Sequence, residues 1–128
     1  MRVVVKVGTS SITDDDGRLD ASAVAKVCGE IGGLRAAGHQ VVLVSSAAIA
    51  AGLPALGMSA RERPRDARTL QAVSAVGQAR LMQLYNEVFA GVGGLVAGQV
   101  LLAPLDFMVR QQYLHARSTL DRLLEQDL

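Results

Sequence analysis

The sequence predicts an α/β fold in which helices cover both faces of a mainly parallel sheet, a three-layer α/β/α arrangement. Three observations predict it. Short β-branched runs alternate with longer stretches whose apolar residues recur every three or four positions. The runs carry apolar residues at consecutive positions rather than alternate ones, as strands buried on both faces do. The length, 128 residues, suits one compact domain and not two.

Taken in order, Arg2 to Val7 is a β-branched run stopped by Gly8 and is expected to be an interior strand. Thr9 to Gly17 is rich in Ser, Thr and Asp and reads as a loop, after which Asp20 or Ser22 can cap a helix. Val24, Val27, Cys28, Ile31 and Leu34 form that helix's apolar stripe, and Gly38 stops it. Gln40 to Val44 is a second strand, and Ser45 to Gly52 turns into a small-residue helix start. Leu53 to Arg68, with its prolines, glycine and four arginines, reads as a surface excursion. A helix restarts near Thr69, carries Leu70, Val73, Val76, Leu81, Leu84, Tyr85 and Val88, and ends at the glycines from Gly91. Leu95 to Leu102 is expected to be a third strand, and Val109 to Gln126 a last amphipathic helix through Tyr113, Ala116, Leu120, Leu123 and Leu124.

Composition narrows the function. Thirteen basic and 12 acidic side chains leave a net charge of +1, so no nucleic-acid-binding surface is written into the bulk charge. There is no Trp and there are two Phe and two Tyr, which leaves little for base stacking. The one cysteine, Cys28, excludes an intramolecular disulfide and a multi-cysteine metal site, and it agrees with a reducing compartment. No signal-peptide pattern opens the chain. Val88 to Leu105 is apolar enough to suggest a membrane span, but Gly91, Gly93, Gly94, Gly98 and Pro104 favour a helix stop, a turn and a strand.

Ligands of parallel sheets collect at the carboxyl ends of the strands, which marks Lys6 to Ser10, Ser45 to Ala48, and Ala103 to Asp106. Lys6-Val7-Gly8-Thr9-Ser10 sets an ammonium at a strand end, then a glycine whose backbone can approach a ligand closely, then two hydroxyls with their amides. That is a phosphate cradle in chemistry, although neither a P-loop nor a dinucleotide glycine pattern is present. A polar strand end is the structural alternative. Ser45-Ser46-Ala47-Ala48 leaves a strand for a helix start without bulky side chains, so its amides could receive a carboxylate or phosphate. Other polar clusters read as surface: Asp14 to Asp16 lack the spacing of a calcium loop, and His39 and His115 sit in solvated contexts. Arg61, Arg63, Arg65 and Arg68 alternate with acids as an exposed loop does, and Cys28 lies on an apolar stripe. No metal-ligand set is read.

Val5-Lys6-Val7-Gly8-Thr9-Ser10, Val44 to Gly52 with its Ser-Ser-Ala-Ala-Ile-Ala-Ala-Gly continuation, Ala75-Val76-Gly77-Gln78, and Gly98-Gln99-Val100-Leu101-Leu102 together resemble the glutamate 5-kinases of the amino acid kinase superfamily. The resemblance runs from end to end and makes residues 1–128 the amino-terminal portion of an amino acid kinase domain, an incomplete form of that fold. It implies transfer of a phosphoryl group from ATP, with Mg²⁺, to the γ-carboxylate of L-glutamate, the first step of proline biosynthesis. By the same resemblance Lys6 is the catalytic residue and contacts the ATP phosphates with Gly8, Thr9 and Ser10, while Ser46, Ala47 and Ala48 hold the glutamate. A cytoplasmic enzyme is implied, homo-oligomeric at full length, with no membrane or nucleic-acid partner through this part.

The family's Asn-Glu-Asn-Asp segment and nucleotide-base loops would follow Leu128, so weak or no activity is expected of this chain alone. Two positions depart from the family pattern: Ala47 stands where a glycine is usual, placing a methyl where backbone should meet glutamate, and Leu70-Gln71 replaces a Lys-Gln pair. The rival reading is a non-catalytic α/β module that retains an anion or nucleotide pocket between Lys6 and Ser46.

Overall fold

A computed structural model describes residues 1–128. Two strands, β1 (Arg2–Val7) and β2 (Gln40–Ser45), run parallel with Arg2 opposite Gln40 and Val7 opposite Ser45. Between them runs helix α1 (Ala21–Ala36), the crossover that a parallel pair requires. Its start is fixed as the sequence suggests: the Asp20 carboxylate accepts from the amides of Ser22 (2.8 Å) and Ala23 (3.2 Å). Gly38, at φ +81°, takes the left-handed turn that returns the chain to β2.

After β2 come a short helix α2 (Ala48–Gly52), an excursion with two single 3₁₀ turns, and the long helix α3 (Ala67–Gly91), capped by Asp66 through the Thr69 amide at 2.8 Å. The buried positions of α3 are Val73, Gly77, Leu81, Tyr85 and Phe89, one row at four-residue spacing. The chain ends in α4 (Pro104–Met108) and α5 (Arg110–Glu125).

The core lies on one face of the sheet, where Val7, Val24, Cys28, Ile31, Ala47, Leu81, Tyr85 and Phe89 meet with Val5, Val41 and Leu43 at its border. Side chains alternate along a strand, so Arg2, Val4 and Lys6 project to the opposite face. There α5 reaches over one end: Asp121 pairs with Arg2 at 2.9 Å, and Gln40 donates to the Leu124 carbonyl at 3.0 Å. The rest of that face is bare, and Val4 is 64% exposed. β1 is therefore not an interior strand: each strand of a two-stranded sheet has a free edge, and here only one face packs against the core.

The expected third strand is also absent. Leu95 to Leu102 is irregular, and no backbone amide or carbonyl from Val96 to Leu102 joins a backbone hydrogen bond with another segment. Together with the free edge of β2, the faces of α3 and α5, and Leu123 and Leu124, this segment lines an apolar groove of about 430 Å³. A β-branched, apolar segment has strand propensity, but a strand exists only where a partner offers its ladder. The apolar stretch from Val88 to Leu105 is broken as its glycines suggest: α3 ends, Gly93 (φ +69°) and Gly94 (φ +68°) turn the chain, and Pro104 starts a new helix. No helix is long and apolar enough to cross a membrane.

Candidate functional site

The two turns that leave the carboxyl ends of β1 and β2 meet. Because Val7 and Ser45 form the last rung of the ladder, the chain leaves both strands at one level, with Gly8 on one side and Ser46 on the other. The Thr9 hydroxyl donates to the Ser46 carbonyl at 3.0 Å and lies 3.5 Å from the Ser46 hydroxyl. Thr9 is itself held: its carbonyl accepts from the Ile12 amide and from the Thr13 hydroxyl, both at 3.1 Å, as the single 3₁₀ turn Thr9–Ser11 closes.

Several donors at this rim are free. The amides of Thr9 and Ser10 bond no backbone carbonyl, as expected for the first residues of a helical turn. The same holds for Ala48, and Ala47, the cap residue of α2, has no side-chain oxygen to offer its amides. Lys6 is exposed and its ammonium makes no salt bridge or hydrogen bond. Gly8 has ordinary extended backbone (φ −75°, ψ 159°), and a Cβ added there would meet nothing within 4 Å. Neither conformation nor packing within the chain demands glycine at that position. Close approach of a ligand to the backbone would.

Ala47 takes a different place from the one the sequence suggests. It is wholly excluded from solvent and belongs to the hydrophobic core, beneath the rim formed by Thr9, Ser46 and Ala48. Its methyl therefore does not obstruct the mouth of the site. The third loop, Ala103 to Asp106, does not join the other two. With no third strand to carry it to the sheet rim, it opens α4, where the Asp106 carboxylate accepts from the Ala103 amide at 2.6 Å.

Two features of the site were not legible as such in the sequence. Gly77 lies where α3 crosses α2, and a Cβ there would fall on the Ala48 carbonyl oxygen; Gly52 sits as closely against the Val73 carbonyl. These glycines let two helix backbones touch, which fixes α2 and the Ser46–Ala48 turn above it. The Ala75-Val76-Gly77-Gln78 segment was visible as a motif, but its steric purpose was not. The second feature is Tyr85, a buried α3 residue whose hydroxyl donates to the Ser45 Oγ at 3.1 Å. Burial raises its pKa above the ordinary tyrosine value, against the smaller opposing effect of the Ser45 bond, so at neutral pH the phenol is a donor.

The other sequence-flagged residues lie where a surface reading puts them. Asp14 folds its own turn by accepting from Asp16 and Arg18 amides, and Arg61, Arg63, Arg65 and Arg68 are exposed. His39 is half-buried with Nδ1 3.3 Å from the amino terminus, and His115 is exposed. No three His, Cys, Asp or Glu side chains are grouped to hold a metal ion.

Comparison with known proteins agrees with this architecture. Over 123 residues, 96% of this chain, it is 52% identical to the glutamate 5-kinase of Pelobacter propionicus, 50% to that of Ralstonia nicotianae and 49% to that of Burkholderia mallei. The match covers 32% of each of those proteins, so the chain spans about a third of the length of these curated relatives. All of it, residues 1–128, also matches the family model described as the amino acid kinase family. With paired parallel strands whose terminal turns touch, and with this match end to end, the chain belongs to the amino acid kinase family.

Proposed function

We propose that this chain supplies the phosphate turn and the acceptor turn of a glutamate 5-kinase, which transfers the γ-phosphoryl group of ATP to the γ-carboxylate of L-glutamate. The observation that carries the reading is the 3.0 Å hydrogen bond from Thr9 to Ser46, which joins the two turns the reaction must bring together. The names of the relatives and the family match support it.

Phosphoryl transfer needs little covalent help from a protein; it needs alignment of the acceptor with the γ-phosphorus and positive charge near the transferred oxygens. Lys6 is the catalytic residue of this proposal, its unpaired ammonium neutralising phosphate charge. Gly8 admits the phosphate chain to the backbone, and the Thr9 and Ser10 amides donate to it. Ser46 and the Ala48 amide hold the glutamate, with Ala47 setting their height from below. A carboxylate oxygen of glutamate forms a bond to the γ-phosphorus as the bond to the β,γ-bridging oxygen breaks, giving glutamyl 5-phosphate and ADP. The product enters proline biosynthesis in this reading, and the enzyme is cytoplasmic. Mg²⁺ ordinarily takes one or two carboxylates besides substrate phosphates. The rim residues Lys6, Gly8, Thr9, Ser10, Ser46 and Ala48 include no carboxylate, so the side chains of this rim do not fit the ion.

The test is an ATP- and glutamate-dependent hydroxamate assay, run on this chain and on a protein in which it is joined to the remaining length of its relatives. The joined protein is expected to require both substrates. In it, Lys6→Ala is expected to lower kcat roughly 100-fold while changing the KM for ATP much less, since the charge matters most as the phosphoryl group departs. Equal turnover in variant and parent would remove Lys6 from the mechanism. Binding of inorganic triphosphate without binding of L-glutamate would instead support a non-catalytic anion-binding module.

A further inference from the structure

We infer that Tyr85 is a positioning residue for the acceptor turn: through its hydrogen bond to Ser45 it fixes the last rung of the sheet, and through that rung the place of Ser46 against Thr9. The inference rests on the kinase reading for its functional consequence, and on geometry alone for the coupling.

Tyr85 is 2% exposed and its ring stacks on Phe89 with centroids 6.1 Å apart. For filling that space a phenylalanine would serve as well, so packing explains the ring but not the oxygen. The hydroxyl has one hydrogen-bond partner, the Ser45 Oγ at 3.1 Å, and the Ser45 hydroxyl bonds nothing else. Ser45 is the last β2 residue of the ladder, opposite Val7. One residue later the Ser46 carbonyl accepts from Thr9. A continuous path therefore runs from the C-terminal part of α3 through Ser45 and Ser46 to the phosphate turn. No other side chain holds the end of β2 by a hydrogen bond from the core side: Ser45 has no other side-chain partner, and the next contact beyond it is the Thr9–Ser46 bond itself. The end of a strand with a free edge frays readily, because half its backbone groups lack a ladder partner. A buried donor clamped on the final rung opposes that fraying at the position where the acceptor must be aligned.

Tyr85→Phe removes the oxygen and keeps the ring, and Ser45→Ala removes the other end of the same bond. In ¹H–¹⁵N spectra of the 128-residue chain without ligand, both variants are expected to shift the signals of the Ser46 and Thr9 amides, which bond no backbone carbonyl and so report the position of the turns directly. The Ile31 amide, in the same core but off the path, should not move. Calorimetric titration with L-glutamate of the protein in which this chain is joined to the remaining length of its relatives should show a loss of affinity of similar size, roughly 3- to 10-fold, for each single variant, and no further loss in the double variant, because both delete one interaction. Additive losses, or Ser46 and Thr9 signals that stay at their parent positions, would overturn the inference. Should Tyr85→Phe fail to fold, Ser45→Ala decides the same question. If the protein in which this chain is joined to the remaining length of its relatives binds no L-glutamate, the kinase reading fails, while the ligand-free spectra still decide the coupling.

Discussion

At the scale of single residues, burial assigns roles that residue type leaves open. Cys28 is wholly buried beside Val24 and Ile31 on the covered stripe of α1, and burial pushes its thiol up from 9.0 to about 11. A raised pKa means that the folded chain holds this proton more tightly than the unfolded chain does. Its stabilising contribution is therefore fully present below pH 9 and is lost as pH rises through 9 towards 11. The urea midpoint of the parent should fall across that window more steeply than that of Cys28→Ala; parallel pH profiles would contradict the assignment. Consistent with the same burial, the thiol should react with an aromatic disulfide reagent only after unfolding. Ala47 teaches the same lesson. Its methyl, unfavourable on the expectation that it faces the substrate, lies instead in the core, where it fills space.

At the scale of elements, the contact of α2 with α3 governs the acceptor turn. Because Gly77 and Gly52 are the points of closest approach, a methyl at position 77 must push the two helices apart. Gly77→Ala is expected to cost about 2 to 3 kcal/mol in chemical denaturation, in the upper part of the range for overpacking. Gly29→Ala is the control. It stands in the exposed middle of α1, where an added Cβ meets nothing within 4 Å, and should stabilise the chain by about 0.5 to 1 kcal/mol. Equal effects of the two substitutions would mean that helix propensity, not the helix crossing, accounts for Gly77.

At the scale of the whole molecule, the exposed apolar surface is large for a chain of this size. Leu101 (70% exposed), Phe107 and Met108 (79%) belong to a run continuing through Val109, Tyr113 and Leu114, and both strands have free edges. Contiguous apolar surface and unpaired edges promote association. The isolated chain is expected to associate as its concentration is raised through the micromolar range, seen as a rising mass in light scattering, and Leu101→Lys with Met108→Lys should reduce the effect. A monodisperse monomer throughout would show that this surface is tolerated in water.

The sequence by itself determined the α/β class, the parallel relation of the first two strands, the helix bounds near Asp20, Gly38 and Val109, and the residues of the two turns. These follow from local chemistry: β-branching, apolar spacing, caps and glycine turns act within a few residues of where they are written. Tertiary structure decided the rest. Whether Leu95 to Leu102 became a strand depended on a hydrogen-bonding partner, not on its own propensity. That Ala47 lies under the site, that Gly77 seats α2, and that Tyr85 reaches Ser45 depend on which surfaces meet across 30 to 40 residues of chain. Contacts between distant segments are set by how whole elements pack, and no local pattern encodes them.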